Sequence, residues 1–112
     1  MRAIVCGGRD YNNSDRVFEI LNRFRITCVI EGGASGADKL AAEWARQKGI
    51  EHIQVLADWN RFGNSAGPIR NRKMLEYDPD IVIAFPGGKG TKDMIKQAKS
   101  QRVRVIEVED GH

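Results

Sequence analysis

Ile26-Thr27-Cys28-Val29-Ile30-Glu31-Gly32-Gly33-Ala34-Ser35-Gly36-Ala37-Asp38 decides the fold. Ile26 to Ile30 is rich in β-branched residues, which suits a buried strand. The run breaks at paired glycines. From Ala37 to Lys48, Leu40, Ala41, Trp44 and Ala45 recur at helical spacing, and Gly49 fits the left-handed turn that closes a helix. The same order of strand and glycine cluster occurs twice more. Arg2 to Cys6 runs into Gly7-Gly8-Arg9-Asp10-Tyr11, and Asp80 to Phe85 runs into Pro86-Gly87-Gly88-Lys89-Gly90-Thr91. These clusters hold eight of the chain's twelve glycines. Glycine lets the backbone turn sharply and lets a ligand approach main-chain N–H groups. A helix starting after such a turn offers unpaired donors and a positive dipole end. One such loop says little, but three at strand ends suggest one shared anion or nucleotide site.

Working outward, Ser14 to Phe24 carries Val17, Phe18, Ile20, Leu21 and Phe24 at helical spacing, with Asn13 or Ser14 as its cap. His52 to Leu56 reads as a strand and Ala57 to Ala66 as the longest loop. Pro68 suits the first turn of a helix running to about Tyr77. Asp78-Pro79 forms the turn before the strand Asp80 to Phe85, Thr91 to Ser100 is a helix, and Val103 to Val108 is a fifth strand. The last residues look frayed. The alternation predicts an α/β, Rossmann-like three-layer sandwich. Its sheet is mainly parallel and five-stranded, with helices on both faces. Ligands in such sheets bind beyond the carboxyl ends of the strands, near the topological switch point. That rule gathers the three clusters on one edge.

The chain of 112 residues fits one domain, residues 1–112. Its net charge of +3 fits a phosphate-bearing ligand without demanding nucleic acid. The longest apolar run, Ile81 to Phe85, is far short of the roughly 20 residues that span a bilayer. The N-terminus does not read as a signal peptide, so a cytoplasmic location and no membrane partner are expected. Cys6 and Cys28 lie in apolar strand patterns and read as reduced core thiols. His52 and His112 have no ligand partners at metal-site spacing, so neither a metal nor a cofactor is expected.

Standard phosphate motifs are missing. Gly32 to Lys39 lacks the GK[ST] ending of a P-loop, and Gly88-Lys89-Gly90 lacks the third glycine of GxGxxG because position 93 is Asp. The set GGRDY, EGGASGAD, AGPIRN and FPGGKGT instead resembles the SLOG superfamily, the Rossmann-like group containing the LOG phosphoribohydrolases and DprA. Within it, the chain resembles the small single-domain YspA-type branch. The resemblance covers nearly the whole chain and implies one SLOG-like nucleotide-binding domain. The LOG likeness implies a nucleoside-monophosphate N-glycosidase, in which PGGxGTxxE binds phosphate and supplies a glutamate, assisted by an arginine on the preceding helix. Pro86 to Thr91 match that motif, but Met94 stands at the glutamate position and cannot act as an acid or base. Asp93 is adjacent, rotated by roughly 100° around a helix. Any chemistry would fall to Asp38, Arg70 and Asp93, with Asp10 a further candidate to replace the missing acid.

Each candidate has two readings. Pro86, Gly87, Gly88, Gly90 and Thr91 form a phosphate cradle, or a tight turn with Thr91 as N-cap. Ser35 caps the next helix with Asp38 as a short capping-box acid, or Asp38 binds ribose hydroxyls or positions a water while Gly32, Gly33 and Gly36 line the site. Arg70, in the first turn after Pro68, opposes its helix dipole unless a phosphate reverses the penalty; otherwise it is an exposed side chain. Asn71 shares the inward face of Met74 and Leu75, as a ligand contact or a structural hydrogen bond. Gly7, Gly8, Arg9 and Asp10 follow the first strand; Arg9 and Asp10 pair, cap or touch a nucleotide. Trp59 and Phe62 stack on a base or pack locally. Lys89, Lys92, Lys96 and Lys99 read as a solvated helix face.

These readings favour binding of a nucleotide or nucleotide-derived, ADP-ribose-like small molecule at the carboxyl edge of the sheet. A phosphoribohydrolase-type N-glycosidase is the alternative, and DprA-like single-stranded DNA binding the second. Nucleic acid is not the expected partner. A homodimer is compatible with the resemblance, although no residue fixes it.

Overall fold

The computed structural model describes residues 1–110, so His112 and the fraying expected of the last residues lie outside the described residues. Five strands form one sheet: β1 (Arg2–Cys6), β2 (Cys28–Glu31), β3 (Glu51–Gln54), β4 (Ile81–Ala84) and β5 (Arg104–Glu107). Their order is β3-β2-β1-β4-β5, and every neighbouring pair is parallel. The sheet runs outward from β1 in both directions, so the switch point falls between β1 and β4.

Alternation along the strands builds two cores. Ala3 and Val5 of β1, Val29 of β2 and Ile81 and Ile83 of β4 face one side. They pack against α1 (Ser14–Leu21) and α2 (Ala37–Lys48) through Val17, Ile20, Leu21, Ala41 and Trp44. Ile4, Cys6, Cys28, Ile30, Val82 and Ala84 face the other side. There they meet Met74 and Leu75 of α4 (Ala66–Leu75) and Met94 and Ala98 of α5 (Lys89–Ser100). The sandwich expected from the sequence is therefore present. Cys6 and Cys28 are buried free thiols, and burial is the main cause that pushes both thiols upward. Among the described residues, no helix is long and apolar enough to cross a membrane.

Asn13 caps α1 by accepting from the Arg16 N–H at 3.1 Å, and Gly49 closes α2 at φ 66°. Several boundaries differ from expectation. The stretch Ala57 to Ala66 is not wholly loop: it contains α3 (Trp59–Phe62) and a 3₁₀ turn over Gly63–Ser65. Asp58 nucleates α3 by accepting from the Arg61 N–H, and Gly63, at φ 54°, ends it. α4 starts at Ala66, so Pro68 is its third residue, where a missing N–H costs no helical bond. α5 starts at Lys89, two residues before Thr91. β2 starts at Cys28 and runs through Glu31, rather than spanning Ile26 to Ile30.

Met94 is fully buried among Ile4, Cys6, Met74 and Val82. Met94→Glu is expected to cost about 3 kcal/mol or more, because it buries an unpaired carboxylate. Met94→Leu should cost less than about 1.5 kcal/mol. Urea denaturation of both variants checks this, and equal midpoints would contradict the packing.

Candidate functional site

The three glycine loops are knitted into one surface. The Gly8 N–H donates to the Pro86 carbonyl at 2.8 Å, joining the exits of β1 and β4. The Gly8 carbonyl accepts from the Ala37 N–H at 3.3 Å, joining β1's exit to α2. A side chain on Gly36 would overlap the Gly8 carbonyl oxygen, and one on Gly87 would lie 2.7 Å from the Gly8 nitrogen. Backbone has to touch backbone here, which only glycine permits. Ser35 is not the cap of α2. Gly36 occupies that position without a side-chain bond, while the Ser35 hydroxyl donates to the Arg9 carbonyl at 2.9 Å.

The second loop has its amides filled from within. Asp38 Oδ2 accepts from the Gly32 N–H at 2.9 Å and from the Ala34 N–H at 3.3 Å. Asp38 is thus no capping-box acid; it folds the preceding loop over itself. Between those amides, the Gly33 N–H donates to Glu31 Oε1, with Gly33 at φ 79°. Glu31 is fully buried, and its other oxygen lies 2.6 Å from His52 Nε2 and 3.0 Å from Gln54 Nε2. Glu31 was not among the sequence candidates. Its partners are apparent only from the register: Glu31 and Gln54 pair across β2 and β3, and His52 lies two residues earlier on the same strand face. Burial pushes the Asp38 carboxyl up to about 6, with Glu31 adding to it; the Ala34 and Gly32 amides and Arg70 pull the other way.

Arg70 reaches the same loop from the opposite side. Its Nη1 donates to the Gly32 carbonyl at 2.8 Å and its Nε to Asn71 Oδ1 at 3.0 Å. Because α4 begins at Ala66, Arg70 lies in the second turn, and the first-turn dipole penalty does not arise. Asn71 is buried, as its inward position implies. Its Nδ2 donates to the Gly90 carbonyl at 3.1 Å and to Asp93 Oδ2 at 3.0 Å. Asp93 also accepts from Gln97 Nε2 at 2.7 Å, so this acid clamps α4 to α5.

The third loop is the opposite of the second. Gly88 is the N-cap of α5, with no side-chain cap bond, so the alternative reading of Thr91 as N-cap does not hold. The N–H groups from Gly87 to Thr91 make no hydrogen bond to a described residue. Thr91 is 7% exposed, and its hydroxyl lies against Gly87. A cleft of about 480 Å³ opens beside it, with Phe85, Gly87, Thr91 and Lys92 on one side and Glu107 to Asp110 on the other. Asp110 accepts from the Tyr11 hydroxyl at 2.8 Å.

The edge thus unites Gly7, Gly8, Gly32, Ser35, Gly36, Asp38, Arg70, Asn71 and Pro86 to Thr91. Arg9 and Asp10 are exposed at the rim, and Trp59, 53% exposed, lies on α3 near the Gly67 backbone. Lys89, Lys92, Lys96 and Lys99 are exposed on α5. Among the described residues, no three His, Cys, Asp or Glu side chains converge as a metal site requires.

Residues 1–62 match the YAcAr family, described as the YspA, cpYpsA-related SLOG family. The chain belongs to the YAcAr family of SLOG proteins. Gene 61 protein of Mycobacterium phage D29 is 38% identical, and the alignment covers 97% of each chain. The DNA processing protein A (DprA) of Streptococcus pneumoniae shares the fold of this YAcAr chain. The match has a TM-score of 0.53 at 17% identity and covers 94% of this chain and 58% of that one.

The Asp38 carboxyl sets a pH dependence. Its folded-state value is raised, so the folded protein holds the proton more tightly than the unfolded chain. The stabilising contribution is complete below about pH 4 and is lost as pH rises through about 6. Asp38→Asn removes this loss. Its stability relative to wild type should rise by on the order of 3 kcal/mol between pH 4 and pH 7. Chemical denaturation at both pH values measures it, and a constant difference would contradict the buried carboxyl.

Proposed function

We propose that this YAcAr protein binds a nucleotide or nucleotide-derived ligand of the ADP-ribose type at the carboxyl edge of its sheet. The observation that carries this reading is the contrast between its second and third loops. The amides of Gly32, Gly33 and Ala34 are spent on Asp38 and Glu31, whereas those from Gly87 to Thr91 have no partner among the described residues. An anion therefore gains most at the start of α5, where unpaired N–H groups, the helix dipole and the Thr91 hydroxyl converge. At the second loop it would meet two carboxylates. That end of the ligand is better served by hydroxyl groups, which donate to Asp38. Arg70 is anchored to Gly32 and, through Asn71, to Gly90, so it lies between the two ends. Phosphate at one end and a hydroxyl-rich sugar at the other is the chemistry of a ribose phosphate. Trp59, exposed on α3, offers an aromatic face for a base.

A second reading is favoured by one observation. Asp38 is a buried acid whose carboxyl is raised to about 6, which suits proton transfer to a leaving base. Hydrolysis of an N-glycosidic bond would then proceed with Asp38 as acid and Arg70 holding the phosphate side. Met94 takes no part, since its side chain fills the core, and Asp93 is committed to Asn71 and Gln97.

Calorimetry with ADP-ribose and AMP, together with product analysis on AMP, NAD and ADP-ribose, tests both readings. Saturable binding without free base or ribose phosphate is expected. Arg70→Ala should weaken binding at least about tenfold, the scale of a lost charged hydrogen bond. Turnover abolished by Asp38→Asn would establish the second reading. Absence of nucleotide binding, with salt-steep binding of single-stranded DNA, would overturn both.

A further inference from the structure

We propose that Glu31 and His52 form a positioning pair that fixes the Gly32–Ala34 loop, and through it Arg70, so that ligand affinity follows the charge on the pair. This rests on the reading of the carboxyl edge as a nucleotide site and adds its regulation. Glu31 ends β2 with no exposed surface, where a carboxylate is tolerated only if its oxygens are satisfied. One oxygen contacts His52 Nε2 at 2.6 Å and Gln54 Nε2 at 3.0 Å; the other holds the Gly33 N–H. Gly33 sits at φ 79°, and the preceding Gly32 carbonyl receives Arg70 Nη1 at 2.8 Å. Any shift of the Glu31 carboxylate therefore moves the peptide that aims the Arg70 guanidinium.

The pair is open to protons from one side only. His52 lies on the edge strand β3, with its side chain 24% exposed, while the Glu31 side chain is wholly enclosed. The groups facing Glu31 are His52 and Gln54 from β3, Asp38 from α2 and, across Gly32, Arg70 from α4. A cationic imidazole compensates the Glu31 charge, relieves its repulsion of Asp38 and tightens the loop. A neutral imidazole still donates one hydrogen bond but leaves two carboxylates facing each other. Affinity is therefore expected to fall when the charge at position 52 is removed.

The test is nuclear magnetic resonance of the full chain without ligand, wild type against His52→Gln, followed by calorimetry with ADP-ribose. His52→Gln keeps a donor for Glu31 but no charge, so the Gly33 amide and the Arg70 Nε–H should shift together. Its affinity for ADP-ribose should fall at least threefold below that of the wild type. Glu31→Gln should weaken ADP-ribose binding at least fivefold. Gly33 and Arg70 signals that His52→Gln leaves unmoved would overturn the proposal, whether or not Glu31→Gln folds. Coupled signals in a protein that fails to bind ADP-ribose would support the positioning pair and overturn the nucleotide reading alone.

Discussion

Backbone contact between the exits of β1, β2 and β4 is the constraint on which the site depends. Gly36 lies against the Gly8 carbonyl, Gly87 against the Gly8 nitrogen, and the Gly8 N–H bonds to Pro86. No side chain fits between these segments. The strand order β3-β2-β1-β4-β5 brings the loops side by side, and the glycines let them close. Once closed, the segments share hydrogen bonds rather than solvent, and the first turns of α2 and α5 are fixed relative to one another.

Closure leaves the two helix starts electrically different. At α2 the chain supplies its own anions, because Asp38 and Glu31 occupy the amides of the preceding loop. At α5 no described residue does the same: Gly88 caps without a side chain and Thr91 is held against Gly87. Asn71 and Arg70 connect the two regions, with bonds to Gly90 on one side and Gly32 on the other. The edge thus has a donor-rich end and an acceptor-rich end, joined by one cation. A symmetric anion would use half of it, whereas a sugar phosphate would use both.

The fold was legible because apolar runs and glycine clusters alternate, and sheet geometry does the rest. The families of contacts that set the site were less visible. Asp38 resembles a capping-box acid in sequence, yet it turns back to bind Gly32 and Ala34, since the close approach of Gly36 to Gly8 shapes the loop first. Ser35 is likewise drawn to Arg9. Glu31 escaped notice because its partners, His52 and Gln54, lie on a strand remote in sequence, and a carboxylate inside a sheet edge becomes meaningful only with the register known. Thr91 resembles a cap in sequence, yet the helix begins at Lys89 because glycine occupies its cap. Met94 is the clearest gain. Its place in the core turns an absent acid into a packing residue, which argues against chemistry from that position.

The central claim is that the start of α5, rather than the second loop, receives the anion. Amide chemical shifts followed during titration with ADP-ribose test it most directly. The account predicts that the largest changes fall on Gly87 to Thr91, with smaller ones at Arg70. Largest changes at Gly32 to Ala34, with the Gly87 to Thr91 amides unmoved, would contradict it.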